Sequence, residues 1–95
     1  MENHYKTLEQ IDFNTIVFII GNVNGCFAFN ADKTIVEIKQ SIKEASNILK
    51  EQYFIQVNNA TLINSKYFVS KKNGQHIKMQ DGYLHKVFRR RWKNF

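Results

Sequence analysis

Proline is missing altogether from these 95 residues, cysteine occurs once, and no apolar stretch approaches the length of a membrane span. Each shortage closes off a class of protein. A lone Cys26 has no partner for an internal disulfide and cannot furnish a multi-thiolate metal cage, so it reads as a core filler in a reducing compartment. A helix that crosses a bilayer needs about 20 consecutive apolar residues, and none is present. The chain opens Met1-Glu2-Asn3-His4 without the basic and apolar regions of a secretion signal, which predicts a cytoplasmic protein with no membrane partner. The absence of proline is consistent with continuous strands. No repeat, low-complexity tract or linker divides the chain, and 95 residues make one domain with a modest core.

Acids are scarce in one half only. Residues 1 to 65 carry five lysines and seven acids, a net of −2, whereas residues 66 to 95 carry nine Lys or Arg and one acid, a net of +8. Such asymmetry marks a cationic face and hence a polyanionic partner, with a merely solubilising surface as the plain alternative.

The residues for chemistry are thinly spread. His4, His76 and His85 stand far apart; the latter two are placed on one sheet face, with only Gln80 beside them and no carboxylate to complete a metal cage. Cys26 has no obvious imidazole partner, and Glu37, Glu44 and Glu51 fall on or beside a helix as surface charge. No nucleophile, acid and base pair, metal site or cofactor is indicated, so the chain is not read as an enzyme.

Residues 11 to 20, IDFNTIVFII, are rich in β-branched and aromatic side chains and run into a loop-like Gly21 to Gly25. Cys26 to Asn30 and Thr34 to Ile38 read as a hairpin joined by Ala31-Asp32-Lys33. Ser41-Ile42-Lys43-Glu44 fits a capping box, and Ile42, Ala45, Ile48 and Leu49 follow at helical spacing, which predicts a helix over about Ser41 to Leu49. From Tyr53 onward the chain reads as strands. Asn73-Gly74 and Asp81-Gly82 are type I′ turn dipeptides, so Lys66 to Lys72, Gln75 to Gln80 and Tyr83 to Phe88 form a meander. Two-residue loops place Phe68 opposite Met79, Ser70 opposite Ile77 and Met79 opposite Leu84. They gather Phe68, Ile77, Met79, Leu84 and Phe88 on a dry face, with Lys71, His76, Lys78, His85, Tyr67, Val69 and Val87 on the other. A bulge at Gly82 would instead swap the faces of the last strand.

Three segments together resemble the LytTR DNA-binding domain of bacterial transcription regulators. Phe54 to Asn64 is similar to a family strand in which a His, then Arg, Asn or Lys, then Ser precede an apolar pair and an Asn; Val87-Phe88-Arg89-Arg90-Arg91 is similar to the basic terminal strand; Ile16 to Gly21 is similar to the family's "ILYIEG" strand. The resemblance implies a mostly β fold of several small antiparallel sheets with one short α-helix, over residues 1 to 95, with only His4 to Gln10 left for a first strand. It implies duplex DNA as partner, read by loops and strand ends in successive major grooves, a second copy on tandem half-sites, and a sensor or receiver partner. The chain would be a stand-alone regulator or an output domain.

The candidate contact residues are Asn24, Asn58, Asn59, Lys71, Arg89, Arg90 and Arg91. Arginine forks fit guanine edges or phosphates, and Asn amides fit adenine edges. Lys86, Lys93, Trp92 and Phe95 interleave with the arginines, Phe88 and Trp92 as anchors; a frayed basic tail is the plain alternative. Asn58 and Asn59 stand at the family's His and following position, and Ala60 lacks the hydroxyl of the family's Ser; a strand irregularity is the plain alternative. Gly25 replaces an aromatic that relatives often carry. These departures leave open a protein-interaction module that has lost DNA binding. A sheet face with Tyr67, Tyr83 and basic residues leaves open single-strand binding.

Overall fold

The computed structural model describes residues 7–92. Its strands are β1 Ile16–Asn22, β2 Gly25–Asn30, β3 Ile35–Ile38, β4 Phe54–Asn58, β5 Thr61–Asn64, β6 Phe68–Lys72, β7 His76–Met79 and β8 Leu84–Lys86, with helices α1 Ile42–Leu49 and α2 Arg89–Trp92. They form a five-stranded antiparallel sheet in the order β3-β2-β1-β5-β4 and a three-stranded one in the order β6-β7-β8. The mostly β class, with a single helix longer than one turn among the described residues, is the architecture expected from the sequence.

α1 begins as its residues dictate. The Ser41 hydroxyl accepts from the Glu44 N–H at 3.1 Å, and the Glu44 carboxylate accepts from the Ser41 N–H at 3.0 Å. Ala45 and Leu49 are fully buried against Leu8, Ile16, Ile19, Cys26, Ala28, Ile38, Phe54 and Leu62, with Ile42 and Ile48 at the margin. Leu8 belongs to a 3-10 turn over Leu8–Gln10, in the segment left for a first strand. Gly21 faces the helix so closely that a Cβ there would lie 2.9 Å from that of Ile42.

The second core lies on the other face of the same sheet. Pairing of β1 with β2 slips by one residue between Ile16 and Phe18, so the bulge at Val17 turns Val17 and Phe18 alike toward the three-stranded sheet while Ile16 and Ile19 face the helix. Val17, Phe18, Val57, Ile63, Ile77, Met79 and Val87 are all at most 1% exposed there. β1 is thus buried on both sides, which its unbroken apolar run had to achieve. The five-stranded sheet is the middle of three layers.

The meander forms, but with longer loops than its turn dipeptides predict. Lys72 pairs with His76, leaving Asn73, Gly74 and Gln75 in the loop, with Gly74 at φ +76° and Gln75 at φ +61°. Met79 hydrogen-bonds Tyr83 at 3.0 Å across Gln80, Asp81 and Gly82, where Gly82 takes φ +92°. Three-residue loops ending in a left-handed residue match the right-handed strand twist as well as two-residue ones do. The extra residue shifts the register: Ile77 pairs with His85 and Lys78 with Leu84. The faces of the last strand are therefore swapped, as a bulge at Gly82 would do. His85 and Val87 point inward, and Leu84 is 55% exposed.

Phe68 pairs with Met79 as expected, but a slip at Val69 then sets Ser70 opposite Lys78 and Lys71 opposite Ile77. Lys71 consequently sits at the rim of the inner face, and His76 and His85 lie on opposite faces. The last strand ends at Lys86, and the arginines occupy the single helical turn of α2. Tyr53 to Asn64 is likewise two strands, joined at the turn Asn59-Ala60. His4, Lys93 and Phe95 lie outside the described residues.

Candidate nucleic-acid interface

Strand direction brings the candidate residues to one end of the molecule. β1 and β4 both run antiparallel to β5, so the turns that follow them, Val23-Asn24 and Asn59-Ala60, emerge at the same end. The Gly21 N–H donates to the Ala60 carbonyl at 2.7 Å and fastens the two turns side by side. The C-terminal segment joins them: the Phe88 N–H donates to the Val57 carbonyl at 2.8 Å, and the Asn58 amide nitrogen donates to the Lys86 carbonyl at 2.7 Å. The loop Asn73 to Gln75 is drawn in as well, through the Val87 N–H to Gln75 carbonyl bond at 2.8 Å.

Gly25 makes the first of these turns possible. Its φ is +157°, and an added Cβ would lie 2.3 Å from the Ile38 carbonyl oxygen. Asn24 is exposed at the tip, its N–H held by the Asn22 side-chain oxygen at 2.7 Å, which leaves its own amide facing solvent. Asn59 is likewise exposed. Asn58 differs. Its amide oxygen accepts from the Ala60 N–H at 3.0 Å while its nitrogen holds Lys86, so both ends of the group are engaged within the protein.

One of the two expected aromatic anchors, Trp92, seats the basic turn, while Phe88 is tied by its backbone to Val57. Trp92 packs against the second core, and the Lys71 ammonium lies 4.7 Å from its ring centroid. The Arg90 guanidinium lies 5.5 Å from the Phe88 ring. Arg89 and Arg90 are exposed and Arg91 is half-buried, so α2 presents charge outward while Trp92 holds the core. The segment is not a frayed tail. Lys71, Asn58, Asn59, Arg89, Arg90 and Arg91 are gathered around it; Asn24 stands across the neighbouring strand pair, about 10 Å away by strand spacing.

Other groups singled out by type serve the interior. Cys26 is buried, its thiol donates to the Gln40 carbonyl at 3.2 Å, and burial, aided by Glu44, pushes it up to about 11, where it stays protonated. His85 packs 4.1 Å from the Phe18 ring centroid with Nε2 unpaired, and burial lowers its pKa against a weaker opposing pull from Asp81. Tyr67 donates its hydroxyl to the Asn14 carbonyl at 2.6 Å, and Tyr83, half exposed, packs edge-on against Phe18 and Phe29, so both rings lie toward the five-stranded sheet and apart from the lysines on the outer face of the three-stranded one. Among the described residues no three His, Cys, Asp or Glu side chains group to hold a metal ion, and no helix is long and apolar enough to cross a membrane.

The family model of the LytTr DNA-binding domain matches residues 6–95. The chain belongs to the LytTR DNA-binding domain family. Its fold is that of a solved LytTr DNA-binding domain from a putative methyl-accepting/DNA response regulator of Bacillus cereus, with a TM-score of 0.74 at 16% identity over 90% of this chain and 86% of that one. Among curated proteins, no relative matches. The segments that carry the resemblance, Ile16 to Gly21, Phe54 to Asn64 and Val87 to Arg91, are those the hydrogen bonds draw together at this end. In this LytTR domain the amide at Asn58 locks the turn to β8. No local pattern announces that role, since its partner is 28 residues away.

Proposed function

We propose that this LytTR domain binds duplex DNA in a sequence-dependent manner as the output module of a bacterial transcription regulator, through the end formed by the turns Val23-Asn24 and Asn59-Ala60 and by α2. The observation that carries this is the seating of α2. Trp92 and the backbone bond from Phe88 to Val57 hold a turn with three consecutive arginines beside two turns tipped with exposed Asn side chains, a surface with both phosphate donors and base-reading groups. In this reading Arg89, Asn59 and Asn24 face base edges, Arg90, Arg91 and Lys71 face phosphates, and Asn58 sets the turn that presents Asn59. No acid interrupts residues 82 to 92, so the interface meets the polyanion without local repulsion.

The test compares two arginine variants on two duplexes, one selected from a randomised pool and one of random sequence. Arg89→Ala is expected to cost about 1 to 3 kcal/mol on the selected site and little on random duplex, because a bidentate base contact carries the sequence information. Arg91→Ala is expected to weaken both alike and to lower the slope of log K against log salt by about one unit. Equal losses on both DNAs for Arg89→Ala would make it a phosphate contact. If the wild-type domain binds no duplex at low salt, the module serves protein interaction instead.

A further inference from the structure

We infer that the outer face of the three-stranded sheet is a second phosphate-binding surface, built on a cross-strand row of Lys72, His76 and Lys86 with Lys78 next to it; the inference rests on the duplex-binding reading above. The shifted register creates the row. His76 pairs with Lys72 on one side and with Lys86 on the other, and Lys78 pairs with Ser70 and Leu84. Ile77, Met79, His85 and Val87 are buried toward the core, so the alternate residues of these strands point away from it.

Three arguments assign this face to a polyanion. Lys72 and Lys86 flank His76 from the two neighbouring strands with Lys78 beside them, and β6, β7 and β8 contain no acid to offset their charge. The exposed side of α1 and its C-terminal end show what an ordinary solvated surface of this chain looks like, with Lys43 beside Glu44 and Lys50 beside Glu51. The outer face also carries no Phe, Tyr or Trp, since it consists of Ser70, Lys72, His76, Lys78, Leu84 and Lys86, so it offers mainly charge to phosphates, with the small His76 imidazole as its one ring. Its place fits the DNA end. Lys86 is the residue whose carbonyl Asn58 holds, two residues before Phe88 and three before Arg89, so the row begins at the rim of the interface. Across three adjacent strands Lys72 and Lys86 lie about 10 Å apart at the backbone, a span that reaches two or three phosphates of one DNA strand.

The experiment measures affinity for random duplex across a salt series for wild type, Lys72→Gln, Lys86→Gln, the double variant, and Lys43→Gln on α1 as a control. The double variant is expected to lower the slope of log K against log salt by about two units, near 0.9 for each phosphate left without its lysine, with Lys43→Gln unchanged. Thermal melting gives a second reading: each lysine removed should raise Tm slightly at low salt, because lysines about 10 Å apart repel one another where screening is weak. A wild-type slope in the double variant, while Arg91→Ala lowers it, would overturn the row and leave the interface standing. So would a fall in Tm, or a loss confined to single-stranded oligonucleotide. If the wild-type domain binds no duplex at all, the duplex reading fails and the row fails with it.

Discussion

The amide of Asn58 donates to the carbonyl of Lys86 across 2.7 Å, and through that bond the end of β4 carries the end of β8. The neighbouring Phe88 N–H to Val57 carbonyl bond runs the opposite way, so the two sheets are stitched in both directions at the root of α2. Asn58→Ala removes a donor and an acceptor that serve exposed backbone partners. It should cost about 0.5 to 1.5 kcal/mol in urea denaturation and weaken duplex binding by displacing α2, with the salt slope kept.

Gly25 and Gly82 both take positive φ, yet they should respond differently to alanine. At Gly25 the added methyl would collide with the Ile38 backbone oxygen at 2.3 Å, and backbone cannot step aside as a flexible side chain can. At Gly82 nothing lies within 4 Å. Gly25→Ala should destabilise by more than about 3 kcal/mol or abolish folding, and Gly82→Ala by about 1 to 2 kcal/mol from the left-handed conformation alone, read from urea midpoints. Equal effects would show that the turn at Gly25 can relax away from β3.

Leu49 ends the buried stripe of α1 at 0% exposure. Leu49→Ala should therefore cost about 2 to 5 kcal/mol, whereas Lys43→Ala on the exposed side should leave Tm nearly unchanged. A mild Leu49→Ala would mean that the first core closes without the helix.

His85 links stability to pH. Burial holds its folded pKa below the ordinary 6.5, so the unfolded chain takes up a proton that the folded one refuses. Stability is complete above about pH 6.5 and is lost as pH falls from there toward the folded pKa, below which the penalty is constant. His85→Leu also removes the unpaired Nε2, and its Tm should vary less than that of wild type between about pH 5 and 7. A parallel pair of Tm profiles would assign the acid sensitivity elsewhere.

How much of this was legible depends on how local each cause is. The α1 cap and stripe are written in a short run of consecutive residues, and the helix begins where Ser41 and Glu44 require. The basic end and one of its two expected anchors are also legible: of the rings that flank the arginines, Trp92 packs against the second core, while the Phe88 ring faces the Arg90 guanidinium. The faces of the last strand are not. Asp81-Gly82 suits a two-residue and a three-residue loop equally, and the choice between them exchanges Leu84 for His85 in the core. Burying Val87, which is 0% exposed, favours the longer loop, and that gain is visible only once the second sheet is in place. The helical turn at Arg89–Trp92 is similarly decided by the seat that Trp92 finds, and the double use of Asn58 by a strand beyond local reach.

The position of β1 between two cores also sets the order in which the chain can assemble. Its neighbour β2 follows at once, but its other neighbour, β5, begins 39 residues after the strand's last residue, and the Asn64 amide that caps Ile16 is 48 residues away. Until β5 has left the ribosome, the growing chain holds an apolar strand with one edge unpaired; α1 can cover one of its faces by then, but the Val17 and Phe18 face stays bare until β6 to β8 follow. β6 to β8 close by short local loops and come last. Synthesis therefore passes through a vulnerable interval in its first two thirds, and the cationic meander arrives as the lid that ends it.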